Sequence, residues 1–271
     1  MNPRRFPIFL YLVTAGYGLL LGCSKPPGNT FQGYVEGEYV YVGAPLSGSL
    51  LNLQVSRGQL VTNQQPLFEL ERAAEASALD QAAKNRDQAQ SSAQLSQITL
   101  QRRKELRAGA DGVVSAEELD RAQSERDTAV ALVAAQQAAW EKAKWAFDQK
   151  QQAAPTNAVV HDTLYRPGEW VAAGAPVLSL LPPANIKIRF FVPQTSLAKI
   201  QVGHPVQVHF DGASHGYLAT IDYVSTAAEF TPPVIFSRET RANLVYLVEA
   251  RPAATEATDF HPGQPVDVAL P

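Results

Sequence analysis

Apolar positions along this chain change their period twice. Leu51, Leu53 and Val55 alternate with polar neighbours, and a second apolar run starts at Leu67-Phe68 beyond the turn Ser56-Arg57-Gly58. That spacing of two predicts short, half-buried strands. From Glu71 to Ala153 the spacing becomes three, four and seven. Leu79, Ala82, Ala89, Ala93 and Leu100 mark a first arm. Leu119, Ala122, Ala129, Val133, Trp140, Ala143 and Phe147 mark a second, interrupted at Arg126 and Gln136. This is coiled-coil periodicity. The stretch has no proline, is rich in good helix formers, and holds only two glycines, Gly109 and Gly112. They fall mid-segment and predict the reversal. Ser115, followed by Glu117 and Glu118, reads as the N-cap of the return helix. Each arm of about 35 residues reaches roughly 50 Å at 1.5 Å per residue. After Leu180 the period returns to two at Ile186, Ile188, Phe190 and Val192. Several short strands with Gly/Pro turns predict a small β-barrel there, with a short helix at Leu197-Ala198-Lys199-Ile200.

The strand segments on either side of the helices are copies of one another. At an offset of 110 residues, Ala44-Pro45 matches Ala154-Pro155, Gly58 matches Gly168, Val61 matches Val171, Pro66 matches Pro176 and Leu70 matches Leu180. No gap is needed over 27 positions. Gly58 and Gly168 are expected to supply positive φ at a tight turn in each copy. One copy is too small to bury its own apolar face, so the two halves are expected to close into a single β-sandwich. Helices inserted between two halves of one body must project from it as a hairpin. A second echo relates Val202 to Val208 with His261 to Val268, at an offset of 60: Gly203, Pro205, Val206 and Val208 recur as Gly263, Pro265, Val266 and Val268.

Composition adds compartment more than chemistry. The chain has 271 residues, 45% hydrophobic, with a net charge of −3 and no basic run outside its N-terminus, so nothing marks a nucleic-acid binder. The one cysteine, Cys23, excludes an intrachain disulfide and a thiolate metal cluster. Arg4 and Arg5 precede an apolar stretch from Phe6 to Leu21, which ends in Leu20-Leu21-Gly22-Cys23. This is a secretory signal pattern, and it resembles a bacterial lipoprotein signal with Cys23 as the acylated residue. Acyl chains contribute about 0.8 kcal/mol per buried methylene, so several on one residue hold it in a bilayer. A plain transmembrane anchor is the other reading, although about 16 residues is short for a span. Both readings put the bulk of the chain outside the cytoplasm.

Enzyme motifs do not assemble. A zinc peptidase would need clustered ligands such as a His-x-His pair. None of His161, His204, His209, His215 and His261 lie two apart. No Gly-x-Ser-x-Gly elbow or phosphate-binding glycine loop occurs. A carrier lysine for lipoate or biotin belongs at the turn between the two half-motifs. The helical insert fills that place, and its nearest lysines, such as Lys84 and Lys104, lie inside predicted helices.

Half-motif, coiled-coil hairpin, second half-motif and barrel, in that order, resemble the HlyD-like membrane fusion protein family of periplasmic adaptors. Thr226-Ala227-Ala228-Glu229-Phe230-Thr231-Pro232 and Leu244-Val245-Tyr246 look most like YbhG-type adaptors of ABC exporters. The resemblance implies an α+β fold with a biotinyl-lipoyl-like sandwich split by the hairpin. Its expected boundaries are a signal peptide at 1–22, a linker at 23–33, lipoyl-like halves at 34–70 and 154–182, a hairpin at 71–153 and a barrel at 183–271. It implies a non-enzymatic adaptor, without cofactor or metal, lipid-anchored at the inner membrane, with transfer to the outer membrane as the second destination. Its partners would be an inner-membrane transporter (ABC rather than MFS or RND), a TolC-like outer-membrane channel, and further copies in a hexameric ring. Family members that dock such channels carry an Arg-Leu-Ser motif at the hairpin tip. Arg102, Leu106 and Ser115 match it here, with eight residues between Leu106 and Ser115 where six are usual. An envelope lipoprotein that scaffolds or binds a ligand without a pump is the alternative.

Overall fold

The computed structural model describes residues 30–109, 113–213, 215–230 and 244–270. The signal segment, Cys23, Gly112 and Thr231-Pro232 lie outside the described residues. The chain divides into two compact units, Gly37–Ile186 and the remainder. Strand β1 (Thr30–Gly37) is the first element among the described residues and serves the second unit.

In the unit Gly37–Ile186, β2 (Val40–Gly43), β3 (Gly48–Leu53), β4 (Leu60–Val61) and β5 (Pro66–Leu70) lead into helices α1 (Ala73–Ala108) and α2 (Ala116–Asp148). After them come β6 (Gln151–Ala153), β7 (Ala158–Thr163), β8 (Trp170–Val171) and β9 (Pro176–Leu181). The strands make two four-stranded sheets, ordered β2-β9-β7-β4 and β6-β5-β3-β8. Each sheet draws two strands from either side of the helices, except that the long arms themselves add none. A shift of 110 residues exchanges β3 with β7, β4 with β8 and β5 with β9, and so turns one sheet into the other. Backbone hydrogen bonds follow the same operation. Gly58 N donates to Val160 O and Gly168 N donates to Leu50 O, both at 2.8 Å. Gln64 N donates to Ala154 O, and Gly174 N to Ala44 O, again at 2.8 Å. One apolar cluster unites the halves, with Leu50, Leu67, Phe68 and Leu70 from the first and Val160, Val177, Leu178 and Leu180 from the second. Separated halves would leave β2, β4, β6 and β8 unpaired and this cluster wet.

Gly58 and Gly168 hold φ at 82° and 94°. Two local expectations need correction. Leu51 does not share the core side with Leu53 and Val55: a register shift between Leu50 and Asn52 buries Leu50 and leaves Leu51 half exposed, while Leu53 packs against the core. Such a bulge re-aims the side chains beyond it. Residues 151–153, expected within the hairpin, form β6 and pair with β5, in the place that the repeat gives to the end of β2.

In the second unit β1 joins β10 (Ile186–Pro193), β11 (Pro205–His209), β12 (Tyr217–Phe230), β13 (Leu244–Pro252) and β14 (Pro265–Ala269). They close a barrel in the order β1-β10-β13-β12-β11-β14. Phe31, Val35, Ile188, Phe190, Val208, Ile221, Val248 and Val268 are buried. The offset of 60 is a second internal symmetry. β11 pairs with β14 with Val208 opposite Val268, and Gly203 and Gly263 have φ of 91° and 88°. Gly203 N donates to Ile221 O as Gly263 N donates to Val35 O. β1 therefore completes the second repeat as β12 completes the first. Residues 30–37, expected as the end of a linker and the start of a lipoyl-like half, are a barrel strand: Phe31 stands opposite Val268 and Gly33 opposite Val266. The short helix also moves, to α3 (Gln194–Leu197). Pro193 precedes it with φ already at −60°, and Ala198-Lys199 only close the turn.

Candidate functional site: the helical hairpin and its tip

α1 leaves β5 and α2 returns to β6, which are neighbours in one sheet. The base of the hairpin is fixed by Lys150. Its side chain is buried, and its Nζ lies 2.7 Å from Ser47 O and 2.9 Å from Glu75 Oε1. It thus ties the first turn of α1 and the end of α2 to the sheet body. Burial pushes the Glu75 carboxyl up, but the hydrogen bond and charge of Lys150 outweigh that and hold it below its ordinary value. Arg72 pairs with Glu69 at 2.8 Å and stacks over Phe147 at 4.5 Å.

Along the hairpin the covered positions keep the three-four spacing without a break. The run is Glu75, Leu79, Ala82, Arg86, Ala89, Ala93, Ser96, Leu100 and Arg103 on α1, with Ala83 and Thr99 half-buried at its side. On α2 it is Leu119, Ala122, Arg126, Ala129, Val133, Gln136, Trp140, Ala143 and Phe147, with Gln123, Gln137 and Ala146 half-buried at its side. Arg126 and Gln136 are members of the seam and not gaps in it. An arginine can lie there because its methylene stem packs while its head reaches out. The Arg126 Nη1 meets Asp127 Oδ1 at 2.9 Å. Arg86 lies over the Trp140 ring at 4.8 Å, and Arg103 Nη1 donates to Glu118 O at 3.0 Å. Only Ala89, Leu100, Ala122 and Ala129 are fully buried, as expected for two helices with no third partner.

At the tip the three matched residues have different situations. Leu106 is 52% exposed and off the seam. Arg102 is exposed and has no ion pair among the described residues. Ser115 is the N-cap of α2: its Oγ accepts from Glu118 N at 3.2 Å, and Glu118 Oε2 accepts from Ser115 N at 2.9 Å. The backbone and hydroxyl donors of Ser115 hold the Glu118 carboxyl below its usual range. The hydroxyl is thus already engaged in a capping box. Val113, which no periodicity singles out, is 73% exposed beside this cap. Among the described residues no group of three or more His, Cys, Asp or Glu is placed to hold a metal ion. No helix among them is long and apolar enough to cross a membrane.

No family model matches the chain. Among curated proteins it is 32% identical over 117 residues to the UPF0194 membrane protein YbhG of Salmonella gallinarum (strain 287/91 / NCTC 13346). It is 29% identical over 119 residues to a UPF0194 membrane protein encoded in the asrC 5' region of Acidithiobacillus ferridurans. These matches cover 42% and 44% of this chain and 35% of each relative, so only about a third of the relatives' length is matched. Among solved structures it is similar to the membrane fusion protein Spr0693 from Streptococcus pneumoniae R6, with a TM-score of 0.66 and 18% identity over 89% of this chain and 98% of that one. It is similar to MacA from Actinobacillus actinomycetemcomitans at a TM-score of 0.67 and 16% identity, over 89% and 78% of the two chains. The mixed fold of sheets and a long helical region is the fold of these proteins.

Proposed function

We infer, from a fold shared with the membrane fusion proteins, that this chain is a periplasmic adaptor of an efflux or secretion pump. One observation carries the reading: two strand repeats interleave into a single body, and the chain between them leaves and re-enters that body on paired strands as a helical hairpin. A body of this kind holds a rod at a fixed place and presents its tip to a distant partner. The two-sheet body is read as the lipoyl-like domain and the barrel as the part that meets an inner-membrane transporter of ABC type. Acylated Cys23 would keep the base at the inner membrane. Copies would stand in a hexameric ring, which requires a heterologous interface that closes. The tips would face a TolC-like channel, with Leu106 entering between its helices and Arg102 supplying polar contacts. The Ser115 hydroxyl serves the cap, so its share in docking is to set the start of α2. Energy comes from the transporter, and the adaptor performs no covalent step.

The test replaces residues 72–150 with a short Gly-Ser link, leaving β5 and β6 to pair. The shortened chain is expected to fold, to be exported and to lose all support of efflux, measured as dye accumulation in cells lacking the native chain. Efflux that persists in cells carrying the shortened chain would end the adaptor reading.

A further inference from the structure

The internal repeat of the two-sheet unit offers a comparison for the base of the hairpin. A shift of 110 residues relates β5 and β6, which hold the hairpin, to β9 and β2. The pairing agrees residue by residue. Pro66 opposite Ala153, Phe68 opposite Gln152 and Glu69 opposite Gln151 become Pro176 opposite Gly43, Leu178 opposite Val42 and Ser179 opposite Tyr41. One step further, Leu70 N donates to Lys150 O at 2.7 Å, and Leu180 stands opposite Val40. Lys150 therefore holds the backbone place that Val40 takes in the other copy. Val40 packs against the apolar core. Lys150 brings an ammonium instead, and among the described residues of this unit it is the one buried charged side chain.

Gly48 is a second departure between the copies. Its counterpart is Ala158, which is buried. A β-carbon at Gly48 would lie 3.1 Å from Lys150 Nζ and 3.4 Å from Leu70 Cβ. Gly48 is not among the glycines at positive φ, so what it supplies is room and not backbone shape. The copy that bears the lysine thus lacks the methyl group that would crowd it.

The lysine acts along fixed lines. Its Nζ reaches Ser47 O at 2.7 Å, just before β3, and Glu75 Oε1 at 2.9 Å, in the first turn of α1. The residue itself lies in the two-residue link from α2 to β6, and neither that link nor the one from β5 to α1 contains glycine or proline. A hydrogen bond prefers a direction as well as a length, whereas apolar burial is non-directional. A joint packed with apolar side chains alone would hold the hairpin on and still let it tilt. The 36 residues of α1 span about 54 Å, so a tilt of about 10° at the base carries the tip roughly 9 Å, nearly the diameter of a helix.

We propose that Lys150 is a positioning residue: its buried ammonium sets the direction in which the hairpin leaves the two-sheet body, and Gly48 is small to admit it. Its use rests on the adaptor reading, in which the tip must meet a partner at a fixed place. Arg72, at the other foot, is half-buried, and its partners Glu69 and Phe147 belong to the two feet themselves. Lys150 alone of the two reaches a third segment, at Ser47.

The test uses the full-length chain with Cys23→Ser, so that only added cysteines react. Nitroxides on Arg57→Cys, in a turn of the sheets, and Ala131→Cys, on the exposed side of α2, report the distance between body and rod by double electron–electron resonance. The unaltered joint should give one narrow peak. Lys150→Met removes the charge and keeps an unbranched stem. It should widen the peak about two-fold or more and move the melting temperature by only a few degrees, because an apolar side chain replaces a buried ion pair with little loss of stability. Gly48→Ala should widen the peak when Lys150 is present and add nothing to Lys150→Met, a non-additivity that mere loss of packing at two sites would not give. If Lys150→Met does not fold, Glu75→Gln, at a half-buried carboxylate, decides in its place and should widen the peak as well. In cells carrying the otherwise native chain, Lys150→Met should lower efflux about ten-fold with export unchanged. A peak unaltered by these substitutions, or a widened peak with full efflux, would overturn the proposal. The chain shortened across the hairpin answers separately for the adaptor reading: efflux that survives there removes that reading whatever the peak shows.

Discussion

Gln64 holds φ at 64° and is the one residue other than glycine found at positive φ among the described residues. Its counterpart 110 positions on is Gly174, with φ at 77°. The repeat has thus kept a backbone shape on one side with the residue that tolerates it and on the other with one that does not. A β-carbon at Gly174 would meet nothing within 4 Å, so the cost of adding one is conformational alone. Gln64→Gly is expected to raise stability by about 0.5–1 kcal/mol and Gly174→Ala to lower it by about 1 kcal/mol, read from denaturant midpoints. Glu75 makes a prediction about acid. Its folded pKa is depressed from a starting value near 4.5. Its pair with Lys150 therefore stabilises the fold above that value, and the contribution is lost as pH falls through the lower folded one. Urea melts between about pH 6 and pH 3 should show the native chain losing more stability than Glu75→Gln over that interval.

At the scale of elements, the hairpin is the part of the chain most legible in its sequence. Its period spans many turns and is locally encoded, so the spacing of Leu79 to Leu100 and of Leu119 to Phe147 is enough to mark the contact face. The seam arginines are less legible, because a charge reads as an interruption until the partner ring is known: Arg86 makes sense only beside Trp140. Lys150 is hidden for the same reason. Nothing in its neighbourhood announces that Ser47, 103 positions earlier, offers it a carbonyl. The strand repeat announces the sheets, but not the bulge at Leu50–Asn52, whose cause lies in pairing across strands and not within one. At the tip, sequence spacing brings out Arg102, Leu106 and Ser115 but passes over Val113, which belongs to no period.

At the scale of the whole molecule, the element that sequence reading misplaces furthest is β1. Thr30–Gly37 alternates correctly, with Phe31 and Val35 inward, but its inward position between them is Gly33 and its partner strand lies at the far end of the chain. Gly33 is small for a reason: a β-carbon there would come within 2.3 Å of Arg189 O and 2.7 Å of the Phe190 Cβ. The strand is short, weakly apolar and paired over the longest sequence separation in the fold, which leaves little local signal. A chain that begins at residue 38 is expected to keep the two-sheet unit folded but to open the barrel between β10 and β14. Exposed strand edges promote association, so the truncated protein should aggregate in size-exclusion chromatography while a protease-resistant fragment of residues 38–186 survives.

The adjacency of β5 and β6 has a consequence for evolution of the rod. Neighbouring strands sit about 4.8 Å apart, so both feet of the hairpin are pinned on one sheet whatever lies between them. Inserting or removing one heptad in each helix would change the reach by about 10 Å and leave the seam in phase. Length is then an adjustable gauge, free to follow the width of the gap it must bridge, while the platform that bears it stays the same.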